Sequence, residues 1–597
     1  FGFGHRSGRI PALGRLARFA GRIANLPSWA ALPAAIAAGG ATLAGFGMYW
    51  DIALHIDNGR DPGPFANPSH YLILGGLFTL FAAGWLAIVL PEGRPSPAAV
   101  RITRDWYAPV SGVLLILSAS FGLLGFPADD LWHRMFGQDV TLWGPTHLML
   151  LGGGAMAVLS ILVILAEARL ARGRRPPPSA APRATGLVSE RLGRALRTLR
   201  LIAACGGLLA ALSIFQAEFD YGIPQFRLLF HPVLIALFAA IALVPARVLG
   251  GRGAALGAVA VFIALRLAMM VLPAGLEQTI PHFPLYLAAG AVVEVAALVV
   301  GRDRPYRLGI LAGALIGSVG TLAEWGWSQV WMPIPWPAHM IAEALALSIA
   351  IGIAGGVIGG FVGGALRLRP EFAATRRAWA YVGASLLVVA GVFAYLLPTT
   401  VPSEARAEVS LTQVGDPPER TAMATVRMDP PSVAENADWL TLTAGQGDAG
   451  PMVLDPLREV APGTYRTTEP FPVHGRWKSV IRLARGDVLV GVPVHAPADA
   501  AIPLPAIPAP ARFERPFVPD RENFQRERQL HVPAWMWPAS ISAVGALGLA
   551  FLLLAGWVLV RLARCAAPQR TVLVADEPAE PRQQADRRRV AEEAVHA

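Results

Sequence analysis

The sequence predicts an all-α polytopic membrane protein of about twelve transmembrane helices, with a small extracytoplasmic β-sandwich inserted before the last helix. Three observations predict it. Of 597 residues, 54% are hydrophobic and only 15% charged, a composition outside the soluble range. Several windows exceed the ~18 apolar residues that read as a bilayer-spanning helix. One long segment, 399–533, replaces the apolar blocks with Pro, polar residues and short alternating runs.

Twelve spans read out at 28–49, 70–90, 107–127, 147–168, 200–217, 231–246, 254–272, 284–300, 308–325, 338–366, 378–398 and 534–561. The basic residues sort between the connecting segments. Segment 1–27 holds Arg6, Arg9, Arg15, Arg18 and Arg22 without an acid, and the 169–199 loop holds Arg169, Arg172, Arg174, Arg175, Arg183, Arg191, Arg194 and Arg197. Arg302, Arg304 and Arg307 precede the ninth span, and Arg367, Arg369, Arg376 and Arg377 the eleventh. The alternate loops are nearly free of Lys and Arg. The positive-inside rule therefore places both termini in the cytoplasm and 399–533 outside, in what reads as a bacterial inner membrane. The tail 562–597 is expected to be cytoplasmic and disordered. A net charge of +10 is explained by this topology, so the lipid bilayer is the expected partner and nucleic acid is not. Neither Cys205 nor Cys565 lies in 399–533, so no disulfide forms within that segment.

Residues 28–168 carry an internal duplication. "DIALHIDNGRDPGPFANPSH" begins at Asp51, and "DDLWHRMFGQDVTLWGPTH" at Asp129. Aligning Asp51 with Asp129 brings His55 onto His133, Gly59 onto Gly137 and Asp61 onto Asp139; after one residue of slippage, Pro68 meets Pro145 and His70 meets His147. The shared pattern is D-x3-H-x3-G-x-D followed by a His that opens the next span. The 200–398 region echoes it more weakly: Glu218 and Asp220 before His231, Glu277 before His282, and Glu324 before His339 and Glu343.

Asp and His four apart on a helix share one face, and a His opening the next helix of a tight hairpin can reach that face. Two imidazoles and a carboxylate then converge, a donor set suited to Cu, Zn, Fe or Ni. Asp61 and Asp139 are placed to orient a ligating imidazole through its other nitrogen. His231, His282, Glu324 and His339 are further metal candidates of the weaker echoes. Trp132 and Trp143 predict an apolar, drier second copy, whereas Asp57, Asn58 and Arg60 predict a wetter first one.

The Asp-x3-His with a second His about a dozen residues later resembles the copper site of the membrane C subunit of particulate methane monooxygenase, in the family that includes the ammonia and short-hydrocarbon monooxygenases. The resemblance covers about forty residues per copy. It implies copper at Asp51, His55 and His70, and again at Asp129, His133 and His147. The interval between the two His is fifteen and fourteen positions here, a little longer than in that family. Duplication and twelve spans in one chain are not its arrangement.

In 399–533, "TAMATVRM", "WLTLTAG", "RWKSVIRLA" and "VLVGVPVHA" read as strands of a small antiparallel sandwich. The Gly463/Tyr465 and Gly475/Trp477 pairs are similar to those of extracytoplasmic domains of the YtkA and FixH type, which accompany copper handling and haem–copper oxidase assembly. His474, His495 and His531 read as surface residues first and metal-passing residues second. The Pro-rich "AIPLPAIPAPARFERPFVP" reads as a stiff tether rather than sheet.

Arg266 and Glu294 fall inside spans seven and eight, about two turns below the outer surface, where each needs a partner; an Arg266–Glu294 ion pair is expected. No P-loop, C-x-x-C-H or G-x-S-x-G occurs. Four readings stay open: a copper-dependent membrane oxidoreductase, a non-enzymatic copper acquisition or oxidase-assembly factor, a bis-His haem b electron carrier, and a transporter. A periplasmic metal donor or an electron-transfer protein is the partner that the first two imply.

Overall fold

The structure is a computed structural model. It describes Gly4, Arg6 and residues 11–566 except 61–62, 64, 138–140, 173–189, 403, 448–449, 500–503, 525–528 and 530. Asp61, Asp139 and the 567–597 tail therefore lie outside the described residues.

Among the described residues, eleven helices are long and apolar enough to cross a membrane. After an amphipathic helix α1 (Pro11–Ala24), they are α2 (Ser28–Asn58), α3 (Pro68–Val89), α4 (Val110–Phe136), α5 (Pro145–Arg172), α6 (Arg191–Asp220), α7 (Phe230–Gly250), α8 (Ala254–Gly275), α10 (Pro305–Ser328), α11 (Ala338–Leu366), α12 (Arg376–Leu396) and α13 (Met536–Cys565). The expected eighth span is shorter: α9 covers only Leu287–Val300, about 21 Å at ~1.5 Å per residue against a hydrocarbon core of ~30 Å. Irregular chain, 276–286, fills the remaining depth. Much of its backbone is satisfied from within the protein, as such chain needs away from water. The Glu324 carboxylate accepts from the Leu285 and Tyr286 N–H groups at 3.1 and 2.6 Å, and Gln216 donates to the Tyr286 hydroxyl at 2.7 Å.

The short helix overturns the expected Arg266–Glu294 pair. Because α9 starts late, Glu294 falls beside the first turn of α8, accepts from the Ala255 N–H at 2.9 Å and pairs with Arg247 at 2.8 Å. Arg266, further along α8 toward its other end, pairs with Asp220 at 2.8 Å, with both side chains fully buried.

The duplicated hairpins α2–α3 and α4–α5 pack as one four-helix group, α2 also meeting α5 and α3 meeting α4. Equivalent positions make equivalent contacts. A Cβ at Gly76 would strike Ala44 N and Gly40 O, and a Cβ at Gly153 would strike Gly122 N and Ser118 O, the counterparts under the same alignment. These two glycines let the paired backbones touch; their neighbours Gly75 and Gly152 have room. In the second half, α7 is buried among α6, α8, α9, α10 and α11. There α10 and α11 approach backbone to backbone at Gly309/Gly356 and Gly313/Gly352.

The 399–533 segment forms two antiparallel sheets around one apolar core. Strands β1 (Arg406–Gln413), β2 (Thr421–Asp429), β3 (Trp439–Gly445), β4 (Val453–Pro456), β5 (Arg458–Ala461), β6 (Thr464–Arg466), β7 (Phe471–Pro472), β8 (Lys478–Arg485), β9 (Val488–His495), β10 (Arg512–Pro516) and β11 (Val518–Pro519) pair in the orders β11-β9-β8-β3-β4 and β10-β1-β2-β6-β5, with β7 on β2. Alternation places Val409, Val426, Leu442, Ile481 and Val490 from both sheets in the shared core. The Pro-rich stretch is not only a tether. Its "RFERP" is edge strand β10, register Phe513 opposite Val409; Pro at its end and an unpaired outer side are tolerated there because an edge strand has one free side.

This β-region sits on one end of the helices. Gln446 N donates to Ile56 O at 3.1 Å, Gln529 N to Phe136 O at 3.1 Å, and Arg482 to Pro224 O at 2.7 Å. Arg482 is fully buried on Asp520 at 2.7 Å. The opposite end is where Arg169 reaches Leu366 O, Arg367 pairs with Asp303, and Arg561 reaches Ala98 O.

Candidate metal centre

Each repeat ends its first helix in the same way. Gly59 and Gly137 have φ of 81° and 90°, a region costly for any residue with a Cβ, and their N–H groups close on His55 O and His133 O at 3.1 and 2.9 Å. This glycine is why the motif carries a fixed H-x3-G interval: the helix stops one turn after its histidine. The turn then returns to Pro68 or Pro145 at the first position of the next helix, where a missing N–H costs nothing. His70 and His147 are thereby delivered to the end of the first helix.

Two groups of three result: Asp51, His55 and His70; and Asp129, His133 and His147. In each, one donor atom per residue lies within 4.8 Å of the other two. His70 Nε2 is 3.0 Å from Asp51 Oδ1, and His55 Nε2 3.8 Å from Oδ2. In the second copy His147 Nε2 is 3.3 Å from Asp129 Oδ1, and His133 Nε2 3.7 Å from Oδ2. The imidazole centroids stand 6.2 and 6.1 Å apart. A hydroxyl from the residue before the second His holds each carboxylate: Ser69 donates to Asp51 and Thr146 to Asp129, both at 2.6 Å. Asn67 adds a fourth contact to Asp51 at 3.0 Å. Sequence reading missed Ser69 and Thr146, although the alignment that pairs His70 with His147 also pairs these two hydroxyls.

The ring nitrogens decide what the groups need. His147 Nδ1 lies 2.7 Å from Thr141 O, and His55 Nδ1 3.1 Å from Gly59 O. A carbonyl oxygen only accepts, so each Nδ1 carries a proton. The Nε2 of His147 then faces a carboxylate with a lone pair, unless a second proton or a metal cation stands between them. Ligands bound at ~2.0–2.2 Å to one ion lie within roughly 4.4 Å of each other, so a small closure completes a three-ligand set.

The two groups do not merge; each is complete within its own hairpin. The expected contrast in wetness is absent as well. Side-chain exposure runs from 13% to 32% in the first and from 19% to 27% in the second. Trp143 turns away to pack on Phe215, Phe226 and Phe230, and Trp132 packs on Phe136 and Trp537, so neither aromatic dries the second copy beyond the first. Phe126 of the second repeat instead meets the His70 ring edge-on at 5.2 Å.

The weaker echoes form no third group among the described residues. His231 is buried, accepts from Trp336 Nε1 at 3.1 Å and stacks on Phe219. His282 packs against Trp331 and gives its carbonyl to Arg266. Glu324 caps the segment entering α9, and His339 pairs with Asp438 of the β-region at 2.9 Å. Helix packing and docking explain each of them. Burial lowers the pKa of His495 in the β-region, and among the described residues no acid stands with it, His474 or His531 in a metal-sized group.

Comparison with protein-family models, with curated proteins and with solved structures finds no match.

Proposed function

We propose that this chain is a membrane metalloprotein that binds copper at its two Asp/His/His groups, on the extracytoplasmic side of the membrane. One observation carries the reading: the same three donors, held by the same hydroxyl and the same glycine stop, are built twice with an imidazole Nε2 at 3.0 and 3.3 Å from a carboxylate. Imidazole and carboxylate donors suit copper, zinc, iron and nickel alike. The resemblance to the copper membrane monooxygenases favours copper among them. Copper would supply one-electron redox chemistry at these sites, and an oxidoreductase role follows if an electron donor and dioxygen reach them. Haem b fits less well, because the Asp51 and Asp129 carboxylates stand between the imidazoles where a porphyrin plane would have to lie.

The metal analysis of the purified full chain tests this reading. Wild-type protein should hold copper, and His55→Ala combined with His133→Ala should remove it with helical content unchanged. Equal metal content in the two proteins sinks it.

A second reading, copper acquisition or assembly without catalysis, is favoured by the docking of the β-region beside the first group. Met452 N donates to Asp57 at 3.2 Å, two residues beyond His55. Dioxygen consumption with a reductant separates the two: an oxidoreductase consumes it, a carrier does not.

A further inference from the structure

We propose that the four-helix repeat holds one hydrocarbon chain of an anionic bilayer phospholipid, with its headgroup on Arg200 and its chain end beneath both Asp/His/His groups. A cavity of about 480 Å³ lies among α2, α3, α5, α6 and α8. Its walls are apolar and mostly small, such as Ala38 and Ala41 on α2 and Gly154 on α5, which leaves the volume open where larger side chains would close it.

One end of the cavity is fixed by the metal groups. Met48 lies three residues before Asp51, Ile73 three after His70, and Leu150 three after His147, and all three line the cavity. Residues three apart on a helix share a face, one turn separated. The cavity therefore ends one turn below the donors of both copies.

The other end is fixed by charge. Among the described residues, Arg200 is the sole charged one lining the cavity, and it is partly buried. Three other cations at this end of the helices are engaged: Arg169 on Leu366 O, Arg172 on Asn25 and Arg247 on Glu294. Among the described residues, Arg200 has no such partner. A buried-edge guanidinium facing an apolar slot calls for a phosphate or carboxylate attached to a chain. The level is right for a headgroup. Helix α1 ends at Ala24, which also lines the cavity, and exposes Leu16, Phe19 and Ile23 beside Arg15, Arg18 and Arg22, the make-up of a helix lying in the membrane interface. From Arg200 to Ile214, both lining, α6 covers about 21 Å at ~1.5 Å per residue, a reach for one acyl chain.

The test uses the full chain in nanodiscs doped with chain-end spin-labelled phosphatidylglycerol or phosphatidylcholine, and metal content is read on the same samples. The immobilised fraction should be several-fold larger for phosphatidylglycerol in wild type. Arg200→Gln should remove that preference, and Ala41→Trp should remove the immobilised component itself, with bound metal unchanged in both. Equal immobilisation of the two lipids in wild type, or a preference that survives Arg200→Gln, overturns the proposal. Absence of copper from the wild-type samples is a separate outcome that bears on the copper reading alone.

Discussion

The Nε2 of His231 lies 4.0 Å from Oδ1 of Asp220, the relationship that His70 has to Asp51 and His147 to Asp129. The third hairpin thus keeps the acid and the helix-opening His of the repeat. It lacks the second imidazole, because α6 ends at Asp220 and the residue four beyond is Pro224. Arg266 takes the other carboxylate oxygen, with its guanidinium over the Tyr49 ring at 4.1 Å and bonded to the Tyr49 hydroxyl. A fixed guanidinium stands here where the first two copies are open to a cation.

Breaking that pair should be costly and should leave metal binding alone. Removing one partner of a buried ion pair leaves an uncompensated charge, typically about 3–5 kcal/mol. Arg266→Leu should lower the thermal midpoint in detergent sharply at unchanged metal content, and adding Asp220→Asn should recover part of the loss. A metal deficit in Arg266→Leu that persists in the stable double variant would tie this cluster to the metal groups.

Single-site variants should split the metal evenly. Each group is complete within one hairpin, so His55→Ala and His133→Ala should each cost half of the bound metal and act additively, as separated sites do. If either one alone empties the protein, the two groups form one cooperative site.

Asp57 should hold the first group to the β-region. It is 4% exposed and accepts from Thr279 N at 2.8 Å, from the Thr279 hydroxyl and from Met452 N at 3.2 Å. Its counterpart in the second repeat is Met135, so the second group lacks this tie. Asp57→Ala leaves the Thr279 N–H and hydroxyl without their acceptor, at about 1–3 kcal/mol for each buried group left unsatisfied, whereas Met452 N keeps the Thr279 hydroxyl at 2.8 Å. Hydrogen exchange should rise around Met452, and metal affinity should weaken at the first group but not the second.

How much of this was legible follows the range of the interactions. The duplication and both Asp/His/His groups could be read because their donors lie within one hairpin, where helix period and a short turn fix proximity. Strands β2, β3, β8 and β9 could be read from alternation. Short strands such as β7 and edge strand β10 could not, because they are made by pairing with distant chain: Phe513 finds Val409. The Arg266 partner was misread for a similar reason. Hydropathy shows that 284–300 is apolar, but not that the chain stays irregular as far as Tyr286 and shifts Glu294 to the far end of α8.

Acid should loosen the β-region through His495. Burial lowers its pKa from the ordinary imidazole value, so the folded chain resists a proton that the unfolded chain takes up. Stability from this group is complete above about pH 6.5 and is lost as pH falls from there toward the lowered folded value. Amide exchange in β8 and β9 of the full chain, after correction for the intrinsic rate at each pH, should rise between pH 7 and 5, and His495→Gln should flatten that rise. An unchanged profile in the variant would remove His495 as the cause.

Orientation is the last expectation, and it rests on where the cations collect. Arg169, Arg302, Arg367 and Arg561 lie at the end of the helices away from the β-region, on short connections or helix ends, which are the segments that the positive-inside rule counts. The β-region carries Arg as well, but a long folded segment is translocated largely regardless of its charge. Both Asp/His/His groups share the β-region's end through Ile56 and Phe136, whose carbonyls accept from Gln446 and Gln529. One accessibility measurement therefore places domain and sites together. Glu459 is exposed on β5 and Arg302 on the loop before α10. With Cys205 and Cys565 replaced by Ser, Glu459→Cys should react with an impermeant maleimide on intact spheroplasts, and Arg302→Cys only after the membrane is opened. The reverse pattern would put both metal groups in the cytoplasm, where a reducing environment and a different metal supply would favour zinc or iron over copper.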